Sequence, residues 1–273
     1  MSYAALMVYV DADGAPEQRV RLAARLAEKF NTTLIGFSAL AIRPPLVAEG
    51  AVITDVTEME IKEIRAKLAS KENWFRNVAV AEHRKLEWRS ALDFPAEALA
   101  REARCADLVV IGRSTGPWNA HSSLDLGGAV LMAGRPVLVV PEGVGSLRAQ
   151  HIVIGWKDTR EARRAVQDSL PFLHEADSIA IVEIYESGET DAAQKHIDDV
   201  ANYLERHKIK AGPKITLRRK DSDAAQLIQL SQDAGADLLV TGAYGHSRLG
   251  EWMFGGMTRD LLASSPICCL MSH

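Results

Sequence analysis

The chain has 273 residues, which is enough for one large domain or two domains of ordinary size. Hydrophobic residues make up 47% and charged residues 25%, as in an average soluble globular protein. The net charge is −4, whereas nucleic-acid binders usually carry a basic surplus. No apolar run approaches the ~18–20 residues of a membrane span, so we expect neither a nucleic-acid partner nor a membrane partner.

The first ten residues are apolar, carry no basic leader and run directly into Asp11, so they predict a first strand rather than a signal peptide. The three cysteines, Cys105, Cys268 and Cys269, are too few for a disulfide framework and badly spaced for zinc. Their apolar neighbours predict buried thiols in a reducing cytoplasm. We therefore expect a cytoplasmic protein.

Predicted strands and helices alternate along the chain. Apolar runs predict five strands in the first half, at Leu6–Val10, Thr33–Phe37, Lys85–Arg89, Ala106–Gly112 and Pro136–Val140. Five more follow in the second half, at Ile152–Trp156, Ser178–Val182, Lys214–Arg219, Ala236–Gly242 and Ile267–Met271. Apolar spacing of three and four predicts helices at Val20–Phe30, Glu58–Ala79, Pro95–Arg104, Ala162–Phe172, Asp191–Lys208 and Ala224–Ala234, and another from Met257.

The two halves repeat one design. Three landmarks recur at a single offset of 130 residues: Asp107 and Asp237, Gly112 and Gly242, Pro136 and Pro266. Such β-α alternation favours a parallel sheet with helices on both faces. We predict an α/β protein of two tandem, doubly wound, Rossmann-like open parallel sheets of about five strands each. The boundary falls in the Pro- and Gly-rich segment 141–146, giving domains at 1–143 and 149–273.

The first half is longer by roughly fifteen residues, because the offset falls from about 145 at the second strand to 130 at the fourth. The extra residues belong mainly to Ala41–Thr57, where two prolines and a glycine argue against a helix. A loop of this length is often a lid or an interface arm. A surface excursion without consequence is an equal alternative.

The strand at Ala236–Gly242 ends in glycines before a helix begins. Gly242 and Gly245 follow it, nine residues separate Gly245 from Gly255, and the helical pattern starts at Met257. Unpaired backbone N–H groups and a positive helix end at such a place bind phosphate without a lysine. Neither G-x-x-x-x-G-K-[ST] nor a G-x-G-x-x-G after the first strand is present, which argues against a P-loop hydrolase and a standard dinucleotide fold.

The pattern G-x(2)-G-x(9)-G at the fourth strand of a β-α repeat resembles the universal stress protein family, and both halves together resemble a tandem member. The resemblance implies an adenine nucleotide hydrolase-like fold, with ATP or another adenine nucleotide, with or without Mg²⁺, across the carboxyl ends of the strands. Asp158 matches an acidic residue near the ribose and adenine. The other residues that the resemblance and the loop place at the nucleotide are Gly242, Ala243, Gly245, His246, Arg248, Gly255, Gly256, Met257 and Thr258.

One position departs from the family pattern. Nucleotide-binding members have Ser or Thr directly after the last glycine, where this chain has Gly256. A lost charge-assisted hydrogen bond costs about 1.5–3 kcal/mol, or roughly ten- to a hundredfold in affinity. Thr258 matches a later hydroxyl residue at the helix start, and His246 and Arg248 are candidates to compensate, with solvent-facing loop residues as the alternative for both.

The first half is a weaker candidate for a ligand site. After Gly112 the second glycine, Gly116, comes one position late, and Gly127-Gly128 lies two residues nearer the closing strand than Gly255-Gly256 does. Glycines of this kind also make tight turns. We expect a degenerate structural domain in this half.

Evidence for catalysis is thin. His174, His196 and His207 fall on predicted helices and are expected to be surface or hydrogen-bonded residues. No G-x-S-x-G elbow or metal-spaced His/Cys cluster appears.

Two charged segments have ordinary explanations. Asp11 and Asp13 could hold a cation, but capping of the next helix is favoured. Arg218-Arg219-Lys220 is expected to be a solvated strand end.

The leading hypothesis is a cytoplasmic stress-response protein that binds an adenine nucleotide in its second domain and acts by binding rather than turnover. One alternative is slow ATP hydrolysis or nucleotidyl transfer at the same site. Another is a scaffold that binds no nucleotide. The resemblance implies that closing strands of paired domains meet edge to edge, so Pro136–Val140 and Ile267–Met271 are expected to pair within one chain, with a homodimer left open.

Overall fold

A computed structural model describes residues 2–42, 47–48, 51–52, 58–113, 117–219, 222–245 and 256–273. The first half contains β1 (Ala5–Tyr9), α1 (Glu17–Lys29), β2 (Thr33–Ala39), β3 (Val47–Ala48), β4 (Ala51–Val52), α2 (Glu58–Ala79), β5 (Leu86–Ala91), α3 (Pro95–Glu102), a 3₁₀ turn (Ala103–Cys105), β6 (Leu108–Gly112), α4 (Leu126–Met132) and β7 (Val137–Val140). The second half contains β8 (His151–Trp156), α5 (Arg160–Asp168), α6 (Leu170–Leu173), β9 (Ser178–Tyr185), α7 (Thr190–Arg206), β10 (Gly212–Leu217), α8 (Asp223–Asp233), β11 (Leu238–Gly242), α9 (Gly256–Ser264) and β12 (Cys268–Ser272).

Ten of these strands form one sheet in the order β10-β9-β8-β11-β12-β7-β6-β1-β2-β5. Within each half all neighbours are parallel. The central strands β6 and β11 are buried on both faces, which explains their nearly continuous apolar sequences. The predicted α/β class, with parallel five-stranded sheets in tandem, is confirmed.

The two halves meet at an antiparallel seam between β7 and β12, with Val139 opposite Cys269 and Val137 opposite Met271. The predicted pairing of the closing strands within one chain is therefore confirmed. Beside the seam, the ring of Tyr3 packs edge-on against Phe30 and Phe172 at centroid distances of 5.1 and 5.7 Å. Cys268 and Cys269 are buried at the seam, and burial raises the pKa of the Cys269 thiol to about 11, as expected for reduced structural cysteines.

Each half has one switch point, where the order of strands along the chain reverses direction in the sheet. In the second half this point lies between β8 and β11, and in the first half between β1 and β6. Helices leave the carboxyl ends of these neighbours on opposite faces, which opens a crevice for ligands.

Two expectations need correction or qualification. Capping of α1 by Asp11 or Asp13 is wrong, because the N-cap is Pro16 and no side chain caps the helix. Asp11 pairs instead with Arg19, and Asp13 with Lys67. Of the long segment 41–57, the structure describes the start and the two-residue strands β3 and β4, which pair antiparallel; its predicted role as a lid or arm falls largely outside the described residues.

Among the described residues, no helix is long and apolar enough to cross a membrane.

Candidate functional site

A cavity of about 320 Å³ lies at the carboxyl ends of β8 and β11, at the switch point of the second half. Its size is at the lower end of the ~300–1,000 Å³ range of small-molecule sites. Predicted site residues that the structure brings together in its wall are Gly242, Gly245, Gly256, Met257 and Thr258. His246, Arg248 and Gly255 lie outside the described residues.

Gly242 lets the first turn of α5 pack directly on the end of β11. A Cβ at this position would lie 2.6 Å from the backbone N of Ala162, which is too close for any side chain without a backbone shift. Thr159 is the N-cap of α5, and its Oγ1 accepts a hydrogen bond from the Ala162 N–H at 3.2 Å. The glycine therefore brings the positive end of α5 up to the cavity.

Gly245 lies against the same helix start. A Cβ there would be 3.0 Å from Glu161 Oε2 and 3.1 Å from Thr159 Oγ1. Burial raises the pKa of Glu161, but hydrogen bonds from Arg160, its own backbone N–H and Thr159 outweigh burial and hold that pKa below its usual value. A buried carboxylate thus stands ionised behind the glycines.

The start of α9 closes the other side of the cavity. Thr258 is buried, and its Oγ1 accepts a hydrogen bond from the Tyr244 N–H at 3.1 Å. A Cβ at Gly256 would meet no atom of the described residues within 4 Å. Packing against the described part of the chain therefore does not explain why this position lacks a hydroxyl side chain.

Ala243, another predicted site residue, does not line the cavity. It is fully buried, its N–H donates to the Ser272 carbonyl at 2.8 Å, and its carbonyl O lies 3.1 Å from His273 Nδ1. These bonds tie the glycine loop to the end of β12.

Lys157 and Arg218 add positive charge to the cavity wall. The guanidinium of Arg218 donates two hydrogen bonds to the Asp223 carboxylate, at 2.8 and 2.7 Å, and also pairs with Glu186. Lys157 is exposed and has no ion pair among the described residues. Lys157 is not among the predicted site residues, and Arg218 was expected to be a solvated strand end. The position of Arg218 after β10, five residues before the first acidic residue of α8, was the available signal.

Asp158 lies outside this cavity. It lines a second cavity on the other face of the sheet and accepts a hydrogen bond from Arg163 Nη2 at 2.5 Å. Its contact with the ribose or adenine stays a prediction.

The position that corresponds to this cavity in the first half is filled, and a cavity of about 540 Å³ lies instead at the start of α1, beside the ends of β6 and β7. Leu6 lies opposite Leu108 as Ile152 lies opposite Leu238, so Tyr9 takes the place of Gly155. By the same register Phe37 takes the place of Val182, which lines the second-half cavity. Both aromatic side chains have no exposed surface, and their ring centroids are 6.2 Å apart.

Charged groups also differ at the first-half switch point. Arg19 is buried, pairs with Asp11 and donates to the Gly112 carbonyl at 3.2 Å. At the start of α4, Asp125 Oδ1 accepts a hydrogen bond from the Gly127 N–H at 3.1 Å. Asp11, Arg19 and Gly112 all line the first-half cavity, where the charged groups are paired with one another.

The two halves touch at this level through Tyr244. Its hydroxyl lies only 2.8 Å from where a Cβ at Gly127 would stand, so the contact requires glycine at the start of α4. Burial raises the pKa of Tyr244, and the Asp125 carboxylate raises it further. The Asp125 carboxylate of the first half therefore acts electrostatically on Tyr244 of the second-half glycine loop.

Within the described part of the chain, no group of three or more His, Cys, Asp or Glu side chains is arranged to hold a metal ion.

Comparison with known proteins finds a family match in the second half. Residues 149–273 match the model of the universal stress protein family. The structure is similar over 98% of this chain and 97% of the other to a universal stress protein from Archaeoglobus fulgidus DSM 4304, with a TM-score of 0.74 and 13% identity. It is also similar to a functionally unknown protein from Pseudomonas aeruginosa PAO1, with a TM-score of 0.60, 12% identity and coverage of 99% and 92%. At these identities the similarity shows the fold alone, and no curated protein matches the chain.

Proposed function

We propose that the chain is a tandem universal stress protein, with domains at 1–143 and 149–273, whose second domain binds an adenine nucleotide. It acts in the cytoplasm as a stress-response binding module rather than through turnover. The observation that carries the proposal is the cavity at the β8/β11 switch point, where Gly242 and Gly245 expose backbone next to the starts of α5 and α9. The family match covers this half of the chain.

The cavity suits both ends of a nucleotide. Val182, Ile184 and Leu227 form an apolar wall that fits the faces of an adenine ring. Lys157 and the two helix starts supply positive potential for phosphate. In the proposed complex, Asp158 contacts the ribose or adenine, and the segment from Gly242 to Thr258, including His246, Arg248 and Gly255, encloses the phosphates.

Titration calorimetry with ATP, ADP, AMP and adenosine, each with and without MgCl₂, tests the proposal. We expect saturable binding of one nucleotide per chain and weaker binding of adenosine, because the phosphates account for the helix-end contacts. No heat and no thermal shift at millimolar nucleotide would exclude the proposal.

A matched pair of variants locates the binding site. Thr258→Val keeps the side-chain shape but removes the hydroxyl that holds the Tyr244 N–H, so nucleotide affinity should fall. Thr32→Val makes the same change at a buried threonine of the first half whose hydroxyl has no partner among the described residues. We expect unchanged nucleotide affinity for Thr32→Val, and equal losses in both variants would place the ligand elsewhere.

A further inference from the structure

A second cavity lies on the opposite face of the sheet from the glycine loop. It has a volume of about 430 Å³ and lies between α5 and α7, above the ends of β8 and β9. Trp156 forms its inner end, and Tyr203 and His196 of α7 form one side. Two residues connect it with the proposed nucleotide site: Trp156 borders both cavities, and Asp158, which lines this one, is proposed to contact the ribose or adenine.

Two buried polar atoms beside this cavity lack hydrogen-bond partners among the described residues. They are Nε1 of Trp156 and Oε2 of Glu183. The two residues are direct neighbours in the β8–β9 register, so their side chains leave the same face of the sheet. Only 8% of Trp156 and 7% of Glu183 is exposed. Because an unsatisfied buried polar group is costly, the Oε2 acceptor of Glu183 indicates a missing donor, whereas the Trp156 Nε1–H is itself a donor.

The charge around the cavity is negative. The Glu183 carboxylate reaches one partner, His196, with Oε1 lying 3.1 Å from Nδ1. Arg163 is engaged by Asp158, and Asp199 is exposed without an ion pair in the described part of the chain. Burial raises the pKa of Glu183 and the nearby Asp158 charge raises it further, whereas His196 and the Lys157 charge lower it. A positive ligand would compensate the excess of carboxylates over cations around this cavity.

The remaining walls suit a ligand with an apolar body. Val166 of α5 and Val200 of α7 both line the cavity. Trp156 and Tyr203 contribute aromatic rings, which attract cations over their faces. Carboxylates, aromatic rings and aliphatic side chains are therefore combined around one space.

We propose that this cavity binds a small organic cation, a primary ammonium group carried on a short aromatic or hydrocarbon body. The ammonium donates to Glu183 Oε2, with Asp199 as the second negative charge, and the body packs between Val166 and Val200. Glu183 is shielded from solvent, so the ammonium reaches it as the His196 side chain, which is 34% exposed, rotates outward. The proposal does not depend on nucleotide binding.

Calorimetric titration of the full chain with tyramine tests the charge requirement. The matched probe is 4-propylphenol, which has nearly the same shape but replaces the ammonium by a methyl group. We expect saturable binding of tyramine and at least tenfold weaker binding of 4-propylphenol. Absence of tyramine binding, or equal binding of the two compounds, overturns the proposal.

Three variants locate the binding site. Glu183→Gln keeps the shape of the side chain and should weaken tyramine binding at least tenfold, whereas the exposed Asp199→Asn should weaken it about threefold. Glu205→Gln, on the same helix as Asp199 but outside the cavity, should leave it unchanged. Nucleotide affinity measured in parallel should be unchanged in Asp199→Asn, which separates this site from the proposed nucleotide site. If Asp199→Asn and Glu205→Gln bind tyramine equally well, the proposal is wrong even where Glu183→Gln fails to fold.

Discussion

The cavity between β8 and β11 is open, whereas Tyr9 and Phe37 fill the corresponding position between β1 and β6, and the first half has its cavity at the start of α1 instead. The strand order is the same on both sides of the seam. The difference in open space comes mainly from two positions. The first half has Tyr9 and Phe37 where the second half has Gly155 and Val182. A Cβ at Gly155 would lie 2.6 Å from Leu227 Cδ2, so the open crevice also depends on close packing around a glycine. At this position of the repeated fold, side-chain volume decides whether a cavity is present.

The largest effect is expected from breaking the ion pair at the first-half switch point. Arg19→Met leaves Asp11 as a buried, unpaired carboxylate, which typically costs about 3–5 kcal/mol of unfolding free energy. Urea unfolding measures this loss. The double variant with Asp11→Leu should recover most of it, because the isolated charge is then also removed.

Arg21→Met is the matched control on the same helix. Arg21 pairs with Glu17 and Glu82 at the surface, where such pairs contribute about 0–1 kcal/mol. Equal destabilisation by Arg19→Met and Arg21→Met would show that the first-half ion pair is not structural.

The next comparison concerns the glycines that end β6 and β11. Gly242→Ala places a Cβ 2.6 Å from backbone, so overpacking should cost about 1–3 kcal/mol. Gly112→Ala meets its nearest atom, the Val140 carbonyl O, at 3.0 Å and should cost less. Thermal unfolding of both variants gives the order, and a larger loss for Gly112→Ala would contradict the packing described for α5.

A third variant gives the second half a side chain of the first. Val182→Phe introduces the residue found at Phe37 and should fill the cavity, so nucleotide affinity should fall at least tenfold, or about 1.4 kcal/mol. Val80→Phe makes the same change at a half-exposed position of the first half. Calorimetry should show normal nucleotide binding for Val80→Phe, and normal binding by Val182→Phe would rule out this cavity as the adenine site.

The smallest effect is expected at the cavity mouth. Lys157→Met removes an exposed positive charge, so ATP affinity should fall roughly threefold at low salt and less at high salt, because salt screens exposed charges. AMP, with fewer negative charges, should be affected less than ATP. The control Lys210→Met removes an exposed lysine outside the cavity, and a similar loss in that variant would indicate a general charge effect rather than a contact.

Much of the fold could be predicted because parallel strands buried on both faces have apolar sequences that are easy to locate. The repeat is visible in the sequence alone. The apolar strands around Val109 and Leu239 each end in a glycine, Gly112 and Gly242, and the two copies are 130 residues apart. Pairing of β7 with β12 also followed, since each strand closes its half.

The side chains that distinguish the two crevices were harder to predict. Tyr9 can be matched to Gly155 only when the register of both strands against β6 and β11 is known. The pairing of Arg19 with Asp11 competes with helix capping, and nothing in the local sequence shows which prevails. The placement of Asp158 on the other face of the sheet depends on the direction in which the chain leaves β8.

The antiparallel seam has a consequence for how the two halves stay together. Its two strands belong to one polypeptide, so their association is intramolecular and does not weaken on dilution, unlike that of separate subunits. The entropy cost of bringing the two halves together arises once, when the chain folds, whereas separate subunits incur it each time they associate. One half can therefore fill the position of the other half's cavity with packed side chains and still remain its permanent partner.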